Sequence, residues 1–133
     1  MPDLNHPGSF RDTNDFHVGN NNKNPFKGML FVIINENTIS QAETACMIFS
    51  KYPRTIYIGR NTSGANGDKV VLNLPGKLFT QFSGVAVFDS KHQTSQNIGI
   101  KPDVFIDRLP ENIIQGKDEI FEYLNNNYKM NLK

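Results

Sequence analysis

The stretch GMLFVIINENTISQAETACMIF, residues 28–49, decides the fold of this chain. Residues 29–34 form an unbroken run of apolar, β-prone side chains that is too short for a helix, which predicts a strand covered on both faces. Turn formers occupy residues 35–38. Apolar side chains then recur at helical spacing, at Ile39, Ala42, Cys46 and Phe49. We therefore expect a strand, a tight turn and a helix whose apolar face packs back on the sheet.

Ser40 stands in the opening turn of the predicted helix. Free backbone N–H groups and the positive end of the helix dipole favour negative charge there, so an oxyanion formed by attack of Ser40 on a carbonyl would be stabilised. A rival interpretation is a capping box, because Ser40 and Glu43 fit S-x-x-E, and a capping hydroxyl does no chemistry. A third places the cap at Thr38 with Gln41 as its partner, which leaves Ser40 free. The residues alone leave all three open.

Composition limits the function classes. The chain has 133 residues, the size of one domain, with 38% hydrophobic residues and a net charge of +1. The absence of a basic cluster argues against nucleic acid or an anionic membrane as the partner. No apolar run reaches the roughly 18 residues of a transmembrane helix, and the first residues lack a signal-peptide pattern. Cys46 is the only cysteine, which excludes an internal disulfide.

The rest of the chain predicts further strands around the first one. Residues 1–26 are interpreted as an irregular leader, rich in Asn, Gly and Pro. Residues 55–58, TIYI, predict a second strand, parallel to the first through the intervening helix in a βαβ unit. Residues 59–67, GRNTSGANG, are called the glycine loop here, because three glycines let its backbone approach a ligand closely.

Beyond the glycine loop, alternating apolar residues on either side of Pro75 and Gly76 predict a β-hairpin. Residues 85–88 predict another strand, and residues 98–106 a final extended segment at a sheet edge because of Pro102. A closing helix is expected after Gly116 and Asp118. Its predicted inward face is Ile120, Phe121 and Leu124. Residues 129–133 are expected to fray.

No partner for a serine nucleophile stands out in the residues. The three histidines are His6, His17 and His92, and none has a neighbourhood that argues for a base. The glycine loop lacks the G-K-[ST] ending of a phosphate-binding loop. Asp103 and Asp107 are best interpreted as solvated carboxylates. No residues have metal-ligand spacing, so we expect no metal and no cofactor.

Five short blocks in order carry a resemblance: NENTISQAE at 35–43, the glycine loop, LPG at 74–76, FSG at 82–84 and QNIGIKPDV at 96–104. Together they resemble the tail-specific and tricorn-like serine peptidases. The resemblance implies an α/β fold with a crotonase-like βαβ core, incomplete in this chain, and an additional β-hairpin. Residues 27–128 would then be the C-terminal part of the catalytic domain, and the leader a connector.

The resemblance also implies roles for single residues. Ser40 matches the nucleophile, and Gln41 the residue whose N–H donates to the oxyanion. The tail-specific branch has its lysine base 25 residues after the serine, where this chain has Ala65, so the resemblance points to the tricorn-like branch with an upstream histidine. Gln96 matches the residue that orients the partner of that base. Gly64, Ala65, Asn66 and Gly67 would wall the substrate cleft.

These roles imply a serine peptidase that acts on a peptide or protein. The chain alone is expected to have little activity without its base, and a missing neighbouring strand would expose a sheet edge and favour self-association. Two alternatives stay open: a non-catalytic relative that binds apolar ligands or peptides, and a module that adds a peptide strand near residues 85–88. Relatives are mostly exported, which favours a periplasmic or extracellular location.

Overall fold

The structure is a computed structural model that describes residues 3, 5–14, 17, 19 and 22–129. Its elements, in chain order, are β1 (Leu30–Ile34), α1 (Gln41–Phe49), β2 (Thr55–Gly59), β3 (Lys69–Leu74), β4 (Leu78–Ser83), β5 (Val104–Phe105), α2 (Pro110–Ile114) and α3 (Glu119–Tyr128). The predicted α/β class with a βαβ core and an added hairpin is confirmed. None of the described helices is long and apolar enough to cross a membrane.

The central sheet has the order β1-β2-β5, and both of its pairings are parallel. α1 connects β1 to β2, whose register runs from Leu30 opposite Thr55 to Ile34 opposite Gly59. β5 pairs with the end of β2, Ile58 opposite Val104. The predicted parallel βαβ unit is therefore correct, and within the described residues β1 and β5 are the edges of the sheet.

Helices cover both faces of this sheet. Tyr57 packs with Cys46 of α1, whereas the next residue, Ile58, packs with Ile120 and Leu124 of α3. Because successive side chains of a strand point to opposite faces, α1 and α3 lie on opposite sides of β2. The Tyr57 hydroxyl also donates to the Cys46 carbonyl at 2.6 Å, and burial raises the pKa of this phenol well above its usual range.

The predicted inward faces are wrong in detail. Of the four apolar positions assigned to the first helix, Cys46 is buried, but Ala42 and Phe49 are exposed, and Ile39 is exposed and precedes α1. The helix is turned so that Glu43, with no exposed surface, occupies the inner face instead. On α3, Ile120 and Leu124 are buried as expected, whereas Phe121 is 45% exposed. The expected cover on both faces of β1 is also incomplete, since Ile33 at the sheet edge is 50% exposed.

The antiparallel hairpin β3–β4 is confirmed, with Leu74 opposite Leu78 across the turn. The prediction of a strand at residues 85–88 is wrong, because this segment joins neither sheet and its start lies beside the end of the glycine loop. Its first N–H, at Val85, donates to the Asp68 carbonyl at 3.3 Å. The short helix α2 was not predicted, although Pro110 at its first position is a common helix start.

Candidate functional site

Both capping interpretations of the Ser40 region are wrong. Ser40 is the N-cap residue of α1, but its side chain makes no capping hydrogen bond. Glu43, the proposed reciprocal partner, is buried and bound elsewhere. The Thr38 hydroxyl accepts the Asn35 N–H at 3.1 Å and so closes the turn before the helix. The exposed Ser40 hydroxyl therefore makes no hydrogen bond to the part of the chain that the structure describes.

Ser40 has a strained backbone, with φ 53° and ψ −121°. A residue with a Cβ is destabilised by about 1–3 kcal/mol in such a region of backbone conformation, and residues with this kind of strain are common at functional sites. The surrounding structure holds it in place, because the Ser40 N–H donates to the Ala65 carbonyl and its own carbonyl accepts from Glu43 and Thr44, all at 2.9–3.1 Å. A sharp, strained strand-to-helix turn is also how the nucleophile elbow presents its serine.

The amide of Gln41 is the group best placed to bind negative charge beside Ser40. Gln41 is the first residue of α1, and its N–H has no hydrogen-bond partner among the residues that the structure describes. Orphan donors of this kind carry the positive end of the helix dipole. The arrangement is a free hydroxyl followed directly by a free N–H, which fits the predicted pairing of nucleophile and oxyanion donor.

Ser40 opens into a cleft of about 400 Å³ between the glycine loop and the base of the hairpin. The other lining residues are Gly67, Asp68, Lys69, Gln81, Phe82 and Ser83. Lys69 and Asp68 place one charge of each sign in the cleft, and Phe82 supplies an apolar wall. An extended peptide that lies across Ser40 would pass along this hairpin base.

The four predicted substrate-binding residues lie at different depths. Gly67 lines the cleft, and Ala65 contacts Ser40 through its main-chain carbonyl. Gly64 and Asn66 are buried behind them. Asn66 is 2% exposed, accepts from the Thr44 hydroxyl at 3.1 Å and donates to the Ser95 hydroxyl at 3.0 Å, so it ties the loop to its neighbours.

Gln96 lies just behind the cleft wall. A Cβ placed on Gly67 would sit 3.5 Å from the Gln96 side-chain nitrogen, so the two residues are neighbours. The Gln96 side-chain amide makes no hydrogen bond to the described residues. It is therefore free to bind a group at the rim of the Ser40 cleft, as its predicted role requires.

No histidine contacts Ser40 in the described part of the chain. His6 pairs with Asp3 at 3.1 Å. His92 packs beside Phe88 in a turn that Asp89 holds. Asp89 is bound at 2.7 Å by Lys51, just beyond the C-terminal end of α1, whereas Ser40 precedes the N-terminal end. The nine residues of α1 separate these ends by about 14 Å, so His92 is a poor candidate for the base.

The other chemical groups near α1 also lack the features of a catalytic centre. Burial, and then the nearby Glu43 carboxylate, raise the pKa of the Cys46 thiol, which disfavours the reactive thiolate. Among the described residues, no three His, Cys, Asp or Glu side chains are grouped to hold a metal ion. Ser40 is left as the candidate nucleophile.

Sequence reasoning missed two carboxylates that the structure uses. Asp103 is exposed, as the solvated interpretation expects, but its side chain also accepts the Tyr57 N–H at 2.8 Å, a contact with β2 that the sequence did not predict. Glu43 was interpreted as half of a capping box, but it is buried against the glycine loop. A signal was present for Glu43, because it lies three residues before Cys46 and therefore on the same face of the helix.

We expect Asp89→Asn to weaken the acid dependence of stability. The hydrogen bond from Lys51, followed by backbone N–H bonds, lowers the pKa of Asp89 from 3.8 to about 2. A lowered folded-state pKa means that the stabilisation is complete above about pH 4 and is lost as the pH falls toward 2. Urea unfolding between pH 5 and 2 should therefore show a shallower loss of stability in Asp89→Asn. Lys51→Met should show a smaller change in the same direction, because the backbone N–H bonds to Asp89 remain. An unchanged slope in both variants would contradict the assignment.

The chain is similar to a peptidase family and to several solved structures. The profile of Peptidase family S41 matches residues 6–106. A candidate peptidase from Parabacteroides merdae ATCC 43184 superposes with a TM-score of 0.66 at 26% identity, over 74% of this chain and 31% of that one. The tricorn protease superposes with a TM-score of 0.64 at 21% identity, over 84% of this chain and 12% of that one. Mature CPAF complexed with lactacystin superposes with a TM-score of 0.60 at 23% identity, over 72% of this chain and 19% of that one.

The chain thus spans less than a third of the length of each of these three proteins. No curated protein sequence matches it significantly. The structural likenesses below 25% identity support the fold, and the family match covers most of the chain, including Ser40, the glycine loop and Gln96. On that match, with its α/β core and its free serine at the start of a helix, the chain belongs to Peptidase family S41.

Proposed function

We propose that this chain carries the nucleophile part of a serine peptidase that cuts peptide bonds through an acyl-enzyme on Ser40. The observation that supports this most strongly is the strained, uncapped Ser40 followed directly by the free Gln41 N–H. In a helix cap the serine side-chain oxygen would accept a hydrogen bond from a backbone N–H, and strain at a plain cap would only cost stability. Both features have a use if Ser40 attacks a carbonyl.

In the proposed reaction, the Ser40 oxygen bonds to the scissile carbonyl carbon while a general base takes the hydroxyl proton. The Gln41 N–H donates to the carbonyl oxygen as it gains negative charge. The base returns the proton to the leaving amine when the C–N bond breaks, and an ester on Ser40 remains. Water then attacks this ester while the same base accepts its proton. The bond between the acyl carbon and the Ser40 oxygen breaks, the base returns the proton to Ser40, and the acid product leaves.

The general base is proposed to be a histidine upstream of this sequence, as in the tricorn-like branch. Two observations support this choice. Ala65, at the lysine position of the tail-specific branch, has no titratable side chain although its carbonyl contacts Ser40. The three histidines of this chain make no described contact with Ser40. Gln96, with its free amide behind the cleft wall, would orient the partner of that base. We accordingly propose that residues 27–128 form the C-terminal part of the catalytic domain.

Labelling with a fluorophosphonate probe, followed by peptide mapping, tests the proposal. The probe is applied to the intact protein, with any sequence upstream of residue 1, and to the 133-residue chain alone. We expect label on Ser40 in the intact protein and little in the chain alone. Ser40→Ala should lose the label, whereas Ser90→Ala, which changes an exposed serine of a distant turn, should keep it.

Two other labelling outcomes would contradict parts of the proposal. Equal labelling of both forms would contradict the upstream base and would mean that the base lies within these 133 residues. Absence of label from both forms would overturn the peptidase proposal and favour a non-catalytic relative that binds peptides or apolar ligands on the same scaffold. Binding of that kind would survive Ser40→Ala.

We also propose that the chain alone self-associates through β1. This strand is a sheet edge, and half of the Ile33 side chain is exposed on it. Static light scattering should show a mass that rises with concentration, and Ile33→Lys should hold the chain monomeric. Ile114→Lys is the matched control, because Ile114 on α2 is 85% exposed but lies off the sheet edge. A clean monomer at high concentration would contradict this proposal.

A further inference from the structure

Glu43 is a buried carboxylate for which the proposed reaction has no use. It lies in the first turn of α1, three residues after Ser40, and has no exposed surface. Among the ion pairs of the described residues, none involves Glu43. A buried carboxylate without a cation is costly, and an apolar side chain would suit this inner face of the helix better.

One oxygen of Glu43 holds the glycine loop. Its Oε1 accepts the Gly64 N–H at 2.9 Å and the hydroxyl of Thr62. Thr62 is itself buried, and its hydroxyl oxygen accepts the Ile100 N–H at 2.7 Å. The carboxylate therefore joins three segments: the start of α1, the glycine loop and the chain that follows Gln96.

The same loop residues then reach the candidate site. Gly64 accepts the Asn97 N–H at 2.7 Å, and the next residue, Ala65, accepts the Ser40 N–H at 2.9 Å. A shift of Gly64 would therefore move the acceptor that holds the strained backbone of Ser40. Gln41, the proposed oxyanion donor, follows Ser40 directly, so its N–H would move as well.

We infer that Glu43 is a positioning residue, which fixes the glycine loop through Thr62 and Gly64 and thereby holds Ser40 and the Gln41 N–H in their reactive geometry. This inference rests on the proposed function of Ser40. Glu43 itself touches no reacting atom in this scheme. Its second oxygen, Oε2, is buried and has no hydrogen-bond partner among the described residues, so the carboxylate is retained at a cost that the Oε1 contacts must offset.

Paired substitutions at Thr62 and Glu43 separate the effect of their hydrogen bond from the effect of side-chain size. Thr62→Val keeps the size of the side chain but removes the hydroxyl that donates to Glu43, whereas Thr62→Ser keeps the hydroxyl. Glu43→Gln keeps an oxygen that can accept from Thr62 and Gly64, whereas Glu43→Ala removes it. We expect Thr62→Val and Glu43→Ala to slow fluorophosphonate labelling of Ser40 in the intact protein at least 30-fold. We expect Thr62→Ser and Glu43→Gln to stay within about 5-fold.

The peptide kinetics should show where the loss arises. A misplaced nucleophile lowers kcat, whereas none of the residues that line the cleft is substituted in Thr62→Val, so most of the loss should fall on kcat and KM should change by about 2-fold at most. The double variant Glu43→Ala/Thr62→Val should label much less slowly than the product of the two single effects predicts, because the bond between the two side chains is already lost in Glu43→Ala and Thr62→Val then removes only the Ile100 contact. Multiplied effects, or equal losses in Thr62→Ser and Thr62→Val, would overturn the inference.

Amide hydrogen exchange in the chain alone gives a readout that does not depend on catalysis. Measured well below the melting temperature, the Ser40 amide should exchange at least 10-fold faster in Glu43→Ala, while the amides of β2 keep their protection. If the unmodified protein fails to label on Ser40, the peptidase proposal falls, and the exchange result alone decides the role of Glu43. Unchanged protection of Ser40 in Glu43→Ala would overturn that role even if labelling succeeds.

Discussion

Ser40→Gly is expected to abolish fluorophosphonate labelling and peptide cleavage while it raises the stability of the protein. The φ of 53° and ψ of −121° at Ser40 cost a residue with a Cβ about 1–3 kcal/mol, and glycine does not pay this cost. Glycine is also acceptable at an N-cap. After subtraction of the extra chain entropy of glycine, about 1 kcal/mol of added stability should remain, which corresponds to a melting temperature about 3 °C higher.

Ser40→Ala is the control for this prediction, because it removes the hydroxyl but keeps the Cβ and its strain. It should lose all labelling, with a free energy of unfolding within about 0.5 kcal/mol of the unmodified protein. Thermal unfolding followed by circular dichroism measures both variants. A gain in stability in Ser40→Gly alone would mean that the protein sacrifices stability to hold Ser40 in a reactive position. Equal stability in the two variants would show that the Ser40 backbone carries no strain.

Much of the fold was predictable because its signals are local. The apolar run of β1, the TIYI run of β2 and the alternation on both sides of Gly76 each lie within a few residues, and all three predictions are confirmed. Side-chain facing was harder, because it depends on how a helix is turned against its neighbours. Glu43 and Phe121 were assigned to the wrong surroundings for that reason, since contacts with distant segments decide which side of each helix is inward.

The candidate site also has a part that the sequence predicts and a part that only the structure shows. The place of Ser40 at the start of a helix followed from the sequence pattern, and its role from the resemblance to a peptidase family. The contact that holds the Ser40 backbone and the links from Glu43 to the glycine loop join residues about 20 or more positions apart, such as Ser40 with Ala65. No local pattern encodes such contacts, so the sequence could indicate the nucleophile but not what holds it.

Gly67→Ala is expected to destabilise the protein by about 3 kcal/mol and to abolish labelling of Ser40. Gly67 lines the cleft with φ 109°, and an added Cβ would sit 2.2 Å from the Val85 carbonyl oxygen. The clashing atom belongs to the main chain of Val85 and not to a flexible side chain, so the glycine loop or the segment after β4 must move. Either movement displaces the wall beside Ser40 and the adjacent Gln96 amide. A loss of 3 kcal/mol is a large fraction of the stability of an ordinary domain.

Gly76→Ala provides the matched comparison in the hairpin turn. Gly76 has φ 80°, so alanine is strained there as well, but no atom lies within 4 Å of the added Cβ. It should therefore cost only about 1 kcal/mol and leave labelling unchanged. Urea denaturation of both variants separates the two contributions, because the difference of about 2 kcal/mol measures the clash with Val85 and not the backbone strain that both share. Equal losses would mean that the glycine loop yields to the new methyl group. Unchanged labelling of Ser40 in Gly67→Ala would show that the tight wall beside Ser40 has no part in reactivity.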